Sequence, residues 1–188
     1  CRLVDQKGLD LLQEALPVLL QEDVQFVVLG LGDPGYHAFL TRTQGAQERS
    51  FGVVLAHDNA TAHLVEAGSD MFLMPSRFEP CGLNQLYSLQ YGTVPVVRAT
   101  GGLADTVVDY TEEGLRAGTA TGFRFGPYEA SALIGAVRRA LAVYRQRDAW
   151  RRLMRNGVAA DWSWSRSARE YVEVYRKACR KAGHGPAD

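Results

Sequence analysis

The chain has 188 residues, 46% of them hydrophobic, which is enough for one domain, with or without a short appendage, around a sizeable core. Lys plus Arg equals Asp plus Glu at 21 each, so no overall field draws the surface toward nucleic acid or a membrane. No apolar run reaches the length of a membrane span. The three cysteines, Cys1, Cys81 and Cys179, are far apart and show no CxxC spacing, which argues against a disulfide framework or a zinc site and for a reduced, cytoplasmic protein. The four histidines show no metal-ligand spacing either, and no metal is expected.

In chain order, CRLVDQKGLD opens without an initiator methionine and inside what reads as a strand end, implying that a segment ahead of it has been removed. Leu9, Leu12, Leu16, Leu19 and Leu20 predict a helix over 8–22. VQFVVLG (24–30) reads as a fully buried strand that ends in a turn cluster, Gly30 to Gly35. A helix at 35–44, a strand at 50–56, a helix at 59–68 and a strand at 71–75 follow. Then come a helix at 82–92 closed by Gly92 and a strand at 94–99. From 128 to 160 the pattern is helical, and a last helix is expected at 165–182 with Ser165 as its cap. Trp162 and Trp164 are expected to anchor that helix by burial.

Alternating strands and helices with short links predict an α/β fold, a Rossmann-like parallel sheet with helices on both faces. The expected domains are 1–160, 161–182 as a C-terminal helix, and 183–188 as a flexible tail. Ligands in such sheets bind off the carboxyl ends of the strands, and the unusual loops 32–35, 57–58, 75–82 and 99–106 all fall there.

Three constellations carry possible chemistry. Arg2 and Lys7 flank a helix entrance beside Gly8; two cations and a helix dipole suit a diphosphate, while a solvated basic pair fits the same spacing. PSRFEPCGLNQL (75–86) leaves a strand, and Pro80 holds Glu79 out of helical geometry. A carboxylate there suits sugar hydroxyls, and Gly82 lets a ligand approach the helix start; a capping loop with a surface Glu is the plainer alternative. TGGLADT (100–106) offers a glycine pair for close backbone approach, or an ordinary turn, with Asp105 and Thr106 opening the next helix. His57 is either a base-stacking ring or a surface residue, and Cys81 reads as a close-packed small residue or a backbone contributor ahead of a nucleophile. The basic residues Arg176, Lys177, Arg180 and Lys181 complement a helix C-terminus, with a polyanion site as the sharper alternative.

Residues 75–107, PSRFEPCGLNQLYSLQYGTVPVVRATGGLADTV, closely resemble the donor-site core of bacterial glycogen synthases and plant starch synthases (glycosyltransferase family 5). RLVDQKGLDLL, GLGDPGY and the final WSW…Y…Y follow the same order, so the resemblance covers essentially the whole chain. It implies the C-terminal half of a two-domain GT-B fold, truncated at its N-terminus. The family moves glucose, with retention, from ADP-glucose to the non-reducing end of an α-1,4-glucan, without an obligatory metal or other cofactor. The resemblance puts Glu79 on the active-site glutamate and Arg2 and Lys7 on the donor-phosphate cations. It places Gly82 and Leu83 beside the pyrophosphate, Cys81, Gly101 and Gly102 on the loops around the donor sugar, and His57 where many members stack a Tyr on adenine. The glucan acceptor would need an N-terminal domain that this chain lacks, so the chain alone is expected to bind ADP and not to elongate glucan. The location implied is cytoplasmic in a bacterium, or plastidic in a plant. A transferase using another nucleotide sugar and a stand-alone nucleotide-sugar-binding or regulatory module are the competing readings.

Overall fold

The computed structural model describes residues 2–183; Cys1 and 184–188, most of the tail expected at 183–188, lie outside the described residues. The chain divides into two compact units, 1–158 and 159–188. In the first, parallel strands alternate with helices as the sequence predicts. The strands are β1 (Arg2–Leu3), β2 (Phe26–Leu29), β3 (Leu31–Gly32), β4 (Phe51–Val54), β5 (Met71–Met74), β6 (Val94–Arg98) and β7 (Phe123–Phe125). The helices are α1 (Leu9–Leu19), α2 (Pro34–Ala46), α3 (Asn59–Gly68), α4 (Asn84–Tyr91), α5 (Gly101–Thr106), α6 (Glu112–Ala117), α7 (Ala130–Tyr144) and α8 (Arg147–Ala159). A 3₁₀ turn, Asp5–Lys7, sits between β1 and α1.

Among the described residues the ladder is parallel throughout but discontinuous. β1 pairs with β3, β2 with β4, and β5 with β6 and β7. β6, flanked on both edges, is the most buried strand, with Val94, Val96 and Val97 at 1% exposure or less. Its successive residues serve opposite faces, as strand pleating requires. Val96 joins the main core with α1, α7 and α8, while Val97 joins Met74, Leu103 and Val107 on the other face. A third cluster joins Leu9, Leu12 and Leu16 of α1 to Leu3, Leu40 and Phe51. The leucine periodicity of α1 thus feeds two clusters at once, through Leu11 and Leu19 on one side and Leu9, Leu12 and Leu16 on the other.

Four elements escaped the sequence reading. Gly30 to Gly35 was expected as a turn cluster, yet Leu31–Gly32 is a strand, because Gly32 lets the chain pass so close to Leu3 that a Cβ there would stand 2.2 Å from its carbonyl oxygen. β7 is only three residues long, and α5 starts at Gly101, where a glycine turn was expected. α6 is six residues with Gly114 inside it, held by the Thr111 cap rather than by propensity. α4 also begins two residues later than expected, at Asn84.

In the second unit α9 runs from Trp164 to Lys181. Its cap is Ser163, whose hydroxyl accepts from the Arg166 N–H at 3.3 Å, and not Ser165, which lies inside the helix. Trp164 is 85% exposed, contrary to the burial expected of it, and Trp162 is half-buried under the Arg166 guanidinium. Arg176 bonds Glu173 at 2.6 Å, while Arg180 and Lys181 occupy the last turn, where the dipole favours cations. Among the described residues no helix is long and apolar enough to cross a membrane.

Phe123, fully buried, stacks on Tyr110 at 5.3 Å and on Trp150 at 6.4 Å. Phe123→Ala removes the centre of that stack and should cost about 3–5 kcal/mol, read as a lowered urea midpoint at unchanged slope.

Candidate active site

The carboxyl ends of β1, β5 and β6 converge. After β1 the chain makes the 3₁₀ turn, and Gly8 takes a left-handed conformation, φ 76°, to start α1. A Cβ at Gly8 would lie 2.1 Å from the Pro75 carbonyl oxygen, so the turn is pressed against the loop after β5. The Arg77 N–H donates to the Gln6 carbonyl at 2.9 Å, and the Gln6 side chain donates to the Phe78 carbonyl at 3.4 Å. This contact brings Lys7 to Glu79, 72 positions away in sequence.

Glu79 is buried, 7% exposed, and its Oε2 accepts from Lys7 Nζ at 2.5 Å and from the Ser76 hydroxyl at 3.3 Å. The capping-loop reading with a surface Glu therefore fails: the carboxylate is inside, and Lys7 supplies the positive charge that a buried carboxylate requires. Lys7 keeps 23% of its side chain exposed, so the pair is reachable from one side. Arg2 is exposed on β1 and bonds the Gln6 side chain at 3.3 Å; it lies on the same segment but outside the buried pair.

The two glycine loops serve each other. Gly101, at φ 44°, and Gly102 form the first turn of α5 rather than a free loop. Cβ atoms there would stand 2.2 Å from the Glu79 carbonyl oxygen and 2.0 Å from that of Cys81. The Gly102 N–H also donates to the Glu79 carbonyl at 3.0 Å. The close backbone approach anticipated from the glycine pair is thus to the chain's own 79–81 backbone. Asp105 and Thr106 end α5 instead of opening a helix, and the Thr106 hydroxyl donates back to the Gly102 carbonyl at 2.6 Å.

Cys81 is exposed, and its thiol lies 3.5 Å from the Gly82 carbonyl. Gly82, at φ 74°, makes the left-handed step before α4, and Leu83, half-exposed, precedes the first helical residue with no side-chain cap. The first turn of α4 therefore offers its N–H groups beside the 79–82 loop. Buried Gln85 pins that loop, donating to the Cys81 and Gly82 carbonyls at 3.2 and 2.8 Å and to the Thr106 hydroxyl at 3.2 Å. His57 is exposed in the loop after β4, just before Asp58, which caps α3. None of its contacts ties it to the Lys7–Glu79 pair. Among the described residues no group of three His, Cys, Asp or Glu side chains has metal-holding geometry.

Sequence reasoning missed the scaffold around this pair. Arg98, at the end of β6, donates to the Arg77 carbonyl at 2.6 Å, the Ser76 carbonyl at 3.4 Å and the Gly126 carbonyl at 3.1 Å. It also lies over the Tyr128 ring, 5.2 Å from its centre. Asp10, in the first turn of α1, accepts from Arg77 and Tyr128, both at 2.5 Å, and Asp5 accepts from the Tyr36 hydroxyl. An arginine closing the apolar run VPVV was the one signal in the sequence that could have flagged Arg98. Burial pushes the Tyr128 hydroxyl up to about 12, with the Asp10 carboxylate adding to it. Burial also raises Asp10, but hydrogen bonds from Tyr128, the Leu11 N–H and Arg77 outweigh it and hold the carboxyl below its ordinary value.

With this geometry in place, the comparisons assign the family. Residues 1–156 match the model of the glycosyl transferases group 1, and the chain belongs to that family. It is 55% identical over 93% of its length to the glycogen synthase of Anaeromyxobacter sp. strain K, and 54% identical over 94% to glycogen synthase 1 of Methylococcus capsulatus. It spans 36% of the length of either relative. Among solved structures, the catalytic domain of starch synthase IV from Arabidopsis thaliana, bound to ADP and acarbose, superposes with a TM-score of 0.83 at 35% identity, covering 94% of this chain and 37% of that one. Sucrose-phosphate synthase from Thermosynechococcus elongatus, at 24% identity and a TM-score of 0.68, shares the fold. The neighbours are GT-B glycosyltransferases, and the α/β architecture read from the sequence stands.

A carboxyl depressed in the folded state adds stability above its unfolded pKa, and that stability is lost as pH falls through the folded value. Thermal unfolding between about pH 6 and pH 2 should therefore show a steeper acid limb for the parent chain than for Asp10→Asn. Equal slopes would mean the Tyr128–Asp10–Arg77 contact does not persist in solution.

Proposed function

We propose that this chain is the donor-binding half of a retaining glucosyltransferase of the glycogen and starch synthase type. The observation that carries the reading is the buried Lys7–Glu79 pair, set at the carboxyl ends of parallel strands beside the open first turn of α4. The identity to glycogen synthases and the likeness to a starch synthase bound to ADP support ADP-glucose as donor and an α-1,4-glucan as acceptor.

In this reading Lys7, with Arg2 beside it, takes the diphosphate, helped by the N–H groups at Gly82, Leu83 and the start of α4. An ammonium has three donors, so Lys7 can hold Glu79 and a phosphate oxygen together. As the glycosidic bond to ADP breaks, negative charge grows on the leaving phosphate, and a preset cation stabilises it without a metal. Glu79 accepts hydrogen bonds from donor-sugar hydroxyls and opposes the positive charge that develops at the reacting carbon. Cys81, Gly101 and Gly102 fix the loop that carries it, and His57 flanks the base. The glucan is held by an N-terminal domain, without which two sugars are not brought into reacting geometry. The site belongs to a cytoplasmic or plastid enzyme.

Two measurements test this. In calorimetry the chain should bind ADP more tightly than UDP, and Arg2→Ala/Lys7→Ala should weaken ADP at least about tenfold, roughly 1.4 kcal/mol. In the full-length enzyme, Glu79→Gln should lower kcat for glucan elongation by about 10²–10³-fold while ADP affinity changes little. Equal ADP and UDP affinities that survive the double substitution would contradict the assignment.

A further inference from the structure

Where a buried carboxylate points is decided by what fixes its donors. Glu79 Oε2 has two of them, the Lys7 ammonium at 2.5 Å and the Ser76 hydroxyl at 3.3 Å. They differ in stiffness. Lysine reaches across a flexible four-carbon stem, and Lys7 keeps part of that stem in solvent. Serine places its hydroxyl through a single staggered torsion, and Ser76 is 1% exposed, so its hydroxyl goes where its backbone goes. The direction of Glu79 therefore rests on the backbone of Ser76.

That backbone has left the sheet. β5 pairs with β6 from Met71 opposite Val94 to Met74 opposite Val97, and the next residue, Pro75, has no N–H with which to continue a ladder. β6 runs one residue further, to Arg98, which still pairs with Phe125 of β7. The Arg98 side chain takes over where the backbone ladder stops. One terminal nitrogen of its guanidinium donates to the Arg77 carbonyl at 2.6 Å and to the Ser76 carbonyl at 3.4 Å, and its Nε donates to the Gly126 carbonyl at 3.1 Å. One rigid fork thus holds neutral carbonyls of two loops, those after β5 and after β7. Among the described residues no carboxylate pairs with Arg98. Arg77, which lies over the same Tyr128 ring at 4.7 Å, has Asp10 for that. The ring backs the Arg98 plane at 5.2 Å, and its hydroxyl donates to Asp10, which ties the ring to α1. Arg98 is therefore placed by its shape and its donors. An ammonium, a compact point charge, would not span both loops.

We propose that Arg98 is a positioning residue for Glu79: it fixes the Ser76 backbone and, through the Ser76 hydroxyl, sets the direction of the Glu79 carboxylate. The path runs from guanidinium to Ser76 carbonyl, and from Ser76 hydroxyl to Glu79 Oε2. The segment just after Arg98 holds the other end of the same residue, since the Gly102 N–H donates to the Glu79 carbonyl at 3.0 Å. Residues 98–102 thus govern Glu79 at its side chain and at its backbone. The effect on catalysis rests on the donor-half reading. There Arg2, Lys7 and the start of α4 hold the diphosphate while Glu79 holds the sugar, so loss of Arg98 slows turnover and leaves ADP binding in place.

The test is a double-mutant cycle in the full-length enzyme. Arg98→Ala should lower kcat about 100-fold while ADP affinity stays within about twofold. Arg98→Lys keeps the charge and the stem and should lose as much; it carries the same comparison if Arg98→Ala does not fold. Ser76→Ala should also lower kcat, and Arg98→Ala/Ser76→Ala should lose no more than Arg98→Ala alone, because both act through one hydroxyl. In this chain without nucleotide, the ¹³C signal of the Glu79 carboxyl should move in Arg98→Ala and in Ser76→Ala. Any of four results would overturn the proposal: an Arg98→Lys enzyme at parent activity, equal losses in kcat and ADP affinity, losses that multiply in the double variant, or a Glu79 carboxyl signal that neither substitution moves. A Glu79→Gln enzyme with full kcat would sink the donor-half reading instead, and the carboxyl signal alone would then decide whether Arg98 positions Glu79.

Discussion

A buried carboxylate needs a cation, and at Glu79 that need organises the molecule's functional end. Its partner, Lys7, comes from the start of the chain and meets it across the gap between β1 and β5. An isolated charge at 7% exposure would be costly, and the ammonium 2.5 Å away with the Ser76 hydroxyl beside it offsets that cost. The surroundings keep the two in reach. Gly8 allows the 3₁₀ turn to press on Pro75, Gly101 and Gly102 allow α5 to press on the backbone of Glu79 and Cys81, and Arg98 ties the Ser76 and Arg77 carbonyls to the end of β7. The glycines are needed where one backbone touches another.

That arrangement explains how a small cluster of reactive and charged groups sits on an ordinary α/β frame. The strands bring loops to one end, and the loops fix one another before any ligand arrives. Preset donors and charges lose little to reorganisation when charge develops in a reaction, which is the condition under which such groups contribute most. The Asp10–Arg77–Tyr128 contacts extend the same logic outward, holding Arg77 to α1 and so holding the loop after β5 to the helix that follows Lys7.

Much of this was legible in the sequence. Continuous apolar runs such as VPVV gave the strands, leucine spacing gave α1, and PSRFEPCGL with TGGLADT marked the loops that matter. What stayed hidden is what depends on distant partners. β3 looked like a turn because Gly30 and Gly32 are turn residues, yet contact with Leu3 makes it a strand. The inward turn of Glu79 depends on Lys7, 72 positions away, and no local pattern reports such a pairing. Trp164 looked like an anchor because tryptophan is usually buried, and its helix nevertheless leaves it exposed within the second unit. Ser163 and Ser165 are both good caps by residue type, and only the position of the first helical turn decides between them.

On the proposed reading, Lys7 holds Glu79 in the free protein and shares itself with the donor diphosphate. Side-chain ¹⁵N spectroscopy of the Lys7 ammonium reads it directly. Slowly exchanging Nζ protons are expected in the free chain, lost in Glu79→Gln, with a clear shift of the same signal on adding ADP. A Lys7 signal that exchanges as fast as those of exposed lysines, and that ADP leaves unmoved, would contradict it.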